Sequence, residues 1–229
     1  MSTGKLNIAF IWHMHQPFYK NLLTNEYAMP WVRLHAIKDY YNMVSILESF
    51  PNIHQTFNLV PSLIEQIQDY INNRADDNIL RLTRKPSANL TSEEKIDILT
   101  KLFMANWETM IKIYPRDRQL LEKRGEHVSL EKLKLIQKNL TNQDFLDLQV
   151  WYNLAWFDPV FKKTDNEIKQ LIDKNEKFTE EDKTLLINKQ LGIMGKILPL
   201  YKKFMEKGQI EISVSPYYHP ILPLLVNMD

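Results

Sequence analysis

The sequence contains no cysteine, so disulfides and thiolate metal ligands are excluded and no redox compartment is marked. It has only five glycines in 229 residues, and no stretch reads as a Gly-rich phosphate loop. Charge of one sign is lacking as well. Twenty-nine Lys and Arg against 28 Asp and Glu leave +1, which gives no field to draw in nucleic acid or an anionic membrane. Long apolar runs are missing too. Met1 to Phe10 holds one Lys and a short apolar stretch, neither a secretory h-region nor a membrane span, so the expected location is cytoplasmic and the expected partner neutral. What the chain does have is 44% apolar and 11% aromatic residues, enough to fill the core of one large domain.

Asn7 to Trp12 (NIAFIW) is a short β-prone run closed by a polar cluster, the pattern of a strand buried on both faces of a parallel sheet and ending near His13. A similar run, Ile53 to Asn58, precedes Pro61 and a stretch in which Leu63, Ile64, Ile67, Tyr70 and Ile71 share one helical face. After the helix-stopping Gly208, Ile210, Ile212 and Val214 alternate with Glu211, Ser213 and Ser215, which predicts a third strand over Gln209 to Ser215. Between the second and third strands, at about 74–207, the chain reads as a helical insertion. Thr91-Ser-Glu-Glu94, Thr141-Asn-Gln-Asp144 and Thr179-Glu-Glu-Asp182 are capping-box patterns, each opening a helix. The third of these helices is expected to break at Pro199, and Pro86 to Asn89 and Lys162 to Lys177 read as polar connections. Strands separated by helices predict an α/β fold with a parallel sheet.

Ligand sites of β/α barrels sit at the C-terminal strand ends. Here those ends are His13-Met-His15-Gln16-Pro17, Asn58, and Ser215-Pro-Tyr217-Tyr218-His219-Pro220. His13 and His15 point to the same side of an extended segment, and a neutral imidazole both donates and accepts toward sugar hydroxyls. A metal reading of this pair lacks a carboxylate at the strand ends, and a reading as hydrogen-bonded core histidines stands beside both. Trp31, Tyr217 and Tyr218 are candidates to stack on a pyranose face, whereas Trp151, Tyr152 and Trp156 fall at helical spacing and are expected in the core. His54 and His127 are read as structural and solvated. Glu211 faces away from its apolar neighbours but has no visible acid partner for glycoside chemistry.

The runs WHMHQPFYKN (Trp12 to Asn21), PWVRLHAIKDYYNM (Pro30 to Met43), TFNLVPSLIEQIQDY (Thr56 to Tyr70), DLQVWYNLAWFDP (Asp147 to Pro159) and GQIEISVSPYYHPILPLL (Gly208 to Leu225) closely resemble glycoside hydrolase family 57, nearest its α-amylase and amylopullulanase branch. The resemblance implies an incomplete (β/α)7-type barrel over 1–229, with about three parallel strands and the helical insertion. It also implies a retaining hydrolase of α-glucans such as starch or glycogen, with no cofactor and no metal. Its Glu nucleophile and Asp acid/base are expected beyond Asp229, so the chain alone is expected to be inactive and to need the remaining part of the barrel. The expected substrate contacts are His13, His15, Gln16, Trp31, Tyr217, Tyr218 and His219, with no catalytic residue among them. Two other readings stay open: a non-catalytic carbohydrate-binding or complementing fragment, and a metal-dependent deacetylase- or mannosidase-like barrel using the His-x-His pair.

Overall fold

In the computed structural model, which describes residues 6–227, β1 (Ile11–Met14), β3 (Gln55–Leu59) and β5 (Ile210–Val214) pair in parallel with β3 in the centre. The N-terminal reading over Met1 to Phe10 is described only from Leu6 onward, and Met228 and Asp229 also lie outside the described residues. A two-stranded parallel ladder, β2 (Glu26–Tyr27) with β4 (Asp76–Asp77), leaves no trace in the sequence because two residues carry no periodicity.

The first strand begins later than its hydrophobic run suggests, and His13 and Met14 belong to it. Registers Trp12–Phe57–Ile212 and His13–Asn58–Ser213 set the two faces, because paired residues of parallel strands share a side. The face carrying Phe57 packs on helices, with Phe57 edge-on to Tyr201 at 5.1 Å. The other face, carrying Ile11, His13, Thr56, Asn58, Glu211 and Ser213, is open. The expectation of a strand buried on both sides therefore fails for β1: Ile11, Trp12 and His13 are exposed, and only Met14 is buried. Phe10 before β1 is exposed too, as are Val214 in β5 and Leu222, Leu224 and Leu225 beyond it.

The helices follow from local chemistry. After β1 come α1 (Trp31–His35), a π-helical turn (Ala36–Tyr40) and α2 (Tyr41–Ser45). Helix α3 (Pro61–Ile71) starts with proline at its first turn, where no donor is needed, and buries Leu63, Ile67 and Tyr70. The insertion holds α4 (Asn78–Arg84), α5 (Ser92–Lys101), α6 (Pro115–Arg124), α7 (Leu130–Ile136), α8 (Asn142–Ala155), α9 (Pro159–Thr164), α10 (Asn166–Lys174) and α11 (Glu180–Glu206), and α12 (Leu222–Val226) follows β5. All three capping boxes form, at the starts of α5, α8 and α11. Lys162 to Lys177, read as a polar connection, lies largely in α9 and α10, whose starts are capped by Asp158 and Asp165. Helix α11 also runs unbroken through Pro199. The ring lies on the exposed face, and Ile193, Met194, Ile197, Tyr201 and Phe204 are buried on the other, so packing outweighs the one lost backbone bond.

Helix α8 is the axis of the core, buried from Asp144 through Ala155. Its polar groups other than the Tyr152 hydroxyl are met by neighbours. Arg116 bonds Asp144 at 2.9 Å and Asp147 at 2.7 Å, and Gln149 donates to the Leu82 carbonyl at 2.6 Å. Arg33, fully buried, joins Asp77 (3.2 Å), Asn153 (2.8 Å) and Gln190 (2.6 Å), which locks α1 to the start of α4, to α8 and to α11. Asp117, in the first turn of α6, is the unmet carboxylate: it is 1% exposed, and neither carboxyl oxygen has a hydrogen-bond partner among the described residues. No helix in those residues is long and apolar enough to cross a membrane.

Candidate functional site

The open sheet face ends in a cluster of imidazoles. His13 lies on β1, His15 follows it on the same side, and His219 arrives from the loop after β5. Their ring centroids are 5.7 Å (His13–His15), 4.5 Å (His13–His219) and 5.0 Å (His15–His219) apart. The central strand ties them down. His13 Nδ1 donates to Asn58 Oδ1 at 2.7 Å, Ser215 donates to the same oxygen at 3.1 Å, and Asn58 Nδ2 donates to Ser213 at 3.2 Å. Because a carbonyl oxygen only accepts, His13 carries a proton on Nδ1. Asn58 thus joins all three strands at one level.

His219 is held in an unusual backbone state. Its φ is +53°, in the left-handed region, and its N–H closes a turn onto the Pro216 carbonyl at 2.8 Å. A side chain with a Cβ costs about 1 kcal/mol there, and such strain collects at sites where the surroundings dictate the conformation. The loop is anchored by the Ser62 N–H, which donates to the Tyr217 carbonyl at 3.2 Å and so satisfies a free amide at the start of α3. His219 Nδ1 is buried and meets no partner among the described residues. Burial lowers the titration of His15 below that of a free imidazole, and the neighbouring His219 and then His13 push it the same way.

Of the expected contacts, His13, His15 and His219 come together in this cluster. Gln16 adjoins it, its amide fixed by donation to Tyr40 at 2.9 Å and by acceptance from Tyr19 at 3.0 Å. Tyr217 and Tyr218 form an exposed aromatic edge, 43% and 57% accessible, continued by Phe18 at 5.2 Å from Tyr218. Trp31 is placed differently. At the start of α1 it makes no ring contact with the three histidines and joins Trp156 (5.7 Å) and His35 (6.4 Å) instead. Asn58, Ser213 and Ser215 are legible in the sequence only as strand-end polar residues, and their shared network depends on a register that local patterning does not encode.

The chemistry missing from this rim is acidic. No carboxylate occurs in His13 to Lys20, Asn58 to Ile64 or Ser213 to Ile221. Glu211 lies on the same face but in the row of Ile11 and Thr56, one side-chain layer (roughly 6.6 Å) below Ser213. It borders a cavity of about 370 Å³ shared with His54 and Gly208 at the opposite end of the sheet. Among the described residues no group of three or more His, Cys, Asp or Glu is arranged to hold a metal ion. The rim offers hydroxyls, amides, imidazoles and aromatic faces, which suit a neutral polyhydroxylated ligand.

The family model described as glycosyl hydrolase family 57 matches residues 9–229. No curated protein and no solved structure matches.

Proposed function

The chain belongs to glycosyl hydrolase family 57, and from that premise we propose that it is the N-terminal part of a retaining hydrolase of α-glucans and supplies much of the sugar-binding rim. One observation carries the reading: the three strand ends converge on His13, His15, Gln16 and His219, beside Tyr217 and Tyr218, without a carboxylate. Retaining hydrolysis needs two carboxyls roughly 5 to 5.5 Å apart across the bond that breaks. Imidazole, amide and phenol groups can orient a glucan but offer no nucleophile at the anomeric carbon and no strong acid at the leaving oxygen. The proposal therefore places the Glu nucleophile and the Asp acid/base on further strands of the barrel.

The sheet supports that placement. Among the described residues both outer strands, β1 and β5, keep a free edge, since β3 takes the one pairing side each uses. Exposed Phe10, Ile11 and Val214 lie in or beside these strands, where further barrel strands would cover them. By itself the 229-residue chain is then a glucan-binding module that cleaves nothing. Affinity electrophoresis in glycogen and a reducing-sugar assay on maltooligosaccharides test both halves. Retardation without sugar release is expected, with His15→Ala and His219→Ala each less retarded. Sugar release by the pure chain that Glu211→Gln abolishes would refute the placement of the catalytic carboxylates, and migration unchanged by glycogen would refute the binding role.

A further inference from the structure

A second cluster of aromatic and titratable side chains lies beside the rim. His35 Nδ1 donates to Asp39 Oδ2 at 2.6 Å across the π-helical turn, and Lys38 holds the other oxygen of the same carboxylate at 2.5 Å. Both side chains of the His35–Asp39 pair are 33% exposed. As a stabilising device such a half-exposed pair is weak. As an orienting device it is effective, because an imidazole whose Nδ1–H is taken by a carboxylate presents Nε2 on the opposite side of the ring as an acceptor. Burial raises the titration of Asp39, but the hydrogen bonds from His35 and Lys38 outweigh it and hold the carboxyl below its usual range, so Asp39 remains an ionised acceptor for the His35 Nδ1–H.

Indoles wall this imidazole. Trp156 meets His35 edge-on at 5.4 Å and Trp31 at 5.7 Å, and Lys38 Nζ lies 6.0 Å from the Trp156 ring centre. Trp156 is only 7% exposed, yet its Nε1–H finds no acceptor among the described residues. An unmet buried donor is costly, and a ligand hydroxyl reaching between the rings is the kind of group that satisfies it. The cluster is continuous with the rim, since His35 and Tyr40 are 6.3 Å apart and Tyr40 accepts from Gln16, the neighbour of His15. Lys38, the cation beside the rings, is already paired with Asp39, which favours a neutral ligand over a phosphate or a carboxylate.

We infer that His35, aimed by Asp39 and walled by Trp31 and Trp156, is the polar contact of an outer pyranose subsite that takes a further glucose ring of a chain bound at the histidine rim. This rests on the α-glucan reading proposed above. A long oligosaccharide reaches both places and a short one only the first, so the subsite is a chain-length selector.

Tryptophan fluorescence titrations with maltose and with maltoheptaose test it on the 229-residue chain, with thermal melting to confirm that each variant folds. His35→Ala should weaken maltoheptaose binding about two- to tenfold, the loss of one hydrogen bond, and leave maltose binding unchanged. His35→Gln, which can still accept, should recover part of the loss, and Asp39→Asn should show a smaller loss, as expected of a positioning residue. Wild-type affinity for maltoheptaose in both His35→Ala and Asp39→Asn would overturn the subsite while leaving the rim intact. A wild-type chain that binds neither sugar would overturn the α-glucan reading, and the subsite with it.

Discussion

Asp117 is a carboxylate that the fold would be more stable without. It is 1% exposed, both oxygens lack partners among the described residues, and burial pushes its titration well above the usual carboxylate range, with Lys162 pulling weakly the other way. The sign follows from linkage. Its folded value lies above the unfolded value of about 3.9, so the folded state binds the extra proton, and stability that is full below that value is lost as pH rises toward the folded value. Each pH unit in that window removes about 1.4 kcal/mol from the wild type and nothing from Asp117→Asn, which cannot titrate. Asp117→Leu keeps the branched shape and also removes the unmet polar atoms, a gain of about 1 to 3 kcal/mol at neutral pH. For a chain of this size that corresponds to roughly 2 to 12 °C in melting temperature. Urea unfolding of the wild type and both variants at pH 4.5, 6 and 7.5 measures it. Parallel pH profiles for wild type and Asp117→Asn, or a less stable Asp117→Leu at pH 7.5, would refute the reasoning.

Arg33→Ala leaves Asp77 buried and uncompensated, so it should destabilise the chain by about 3 to 5 kcal/mol, read as a lower urea midpoint. Pro199→Ala restores a backbone donor on the exposed face of α11 and should stabilise the chain by about 1 to 2 kcal/mol after the added freedom of the unfolded state is counted, read as a higher melting temperature. Glycogen retardation should hold at neutral pH and decline in acid, as His15 gains charge beside His219 and His13. The lowered titration of His15 carries that decline to the acid side of a free histidine.

Much of this fold is legible in the sequence because its signals are local. Three capping boxes, a proline-led helix and the alternation of Ile210, Ile212 and Val214 are complete within a few residues, and each of them forms the element it announces. Local signals mislead where distant packing decides. Pro199 reads as a break until the buried side of α11 is known, and Lys162 to Lys177 reads as a loop because its helices are short and mostly polar. The strand-end histidines and His219 are legible as one rim, but the ring-to-ring contact they make is not, since it depends on a left-handed residue in a loop far along the chain. The His35–Asp39 pair is hidden for a related reason: its spacing looks like any surface pair of a helix, and its aromatic walls come from segments far apart in the chain.

The register that places Asn58 beside Ser213 also sets an order of events during folding. Those side chains meet across a sequence separation of 155, over a stretch that is mostly helical. Closing an unstructured loop of that length is slow, and parallel pairing gives no return until it closes. Helices with their own caps form far sooner, and docking α11 against α2, α3 and α8 delivers β5 to β3 already close to its final position. The sheet is thus expected to zip late onto a helical template, so substitutions in the core of α11 should slow refolding, while those at Asn58 or Ser213 should mainly speed unfolding.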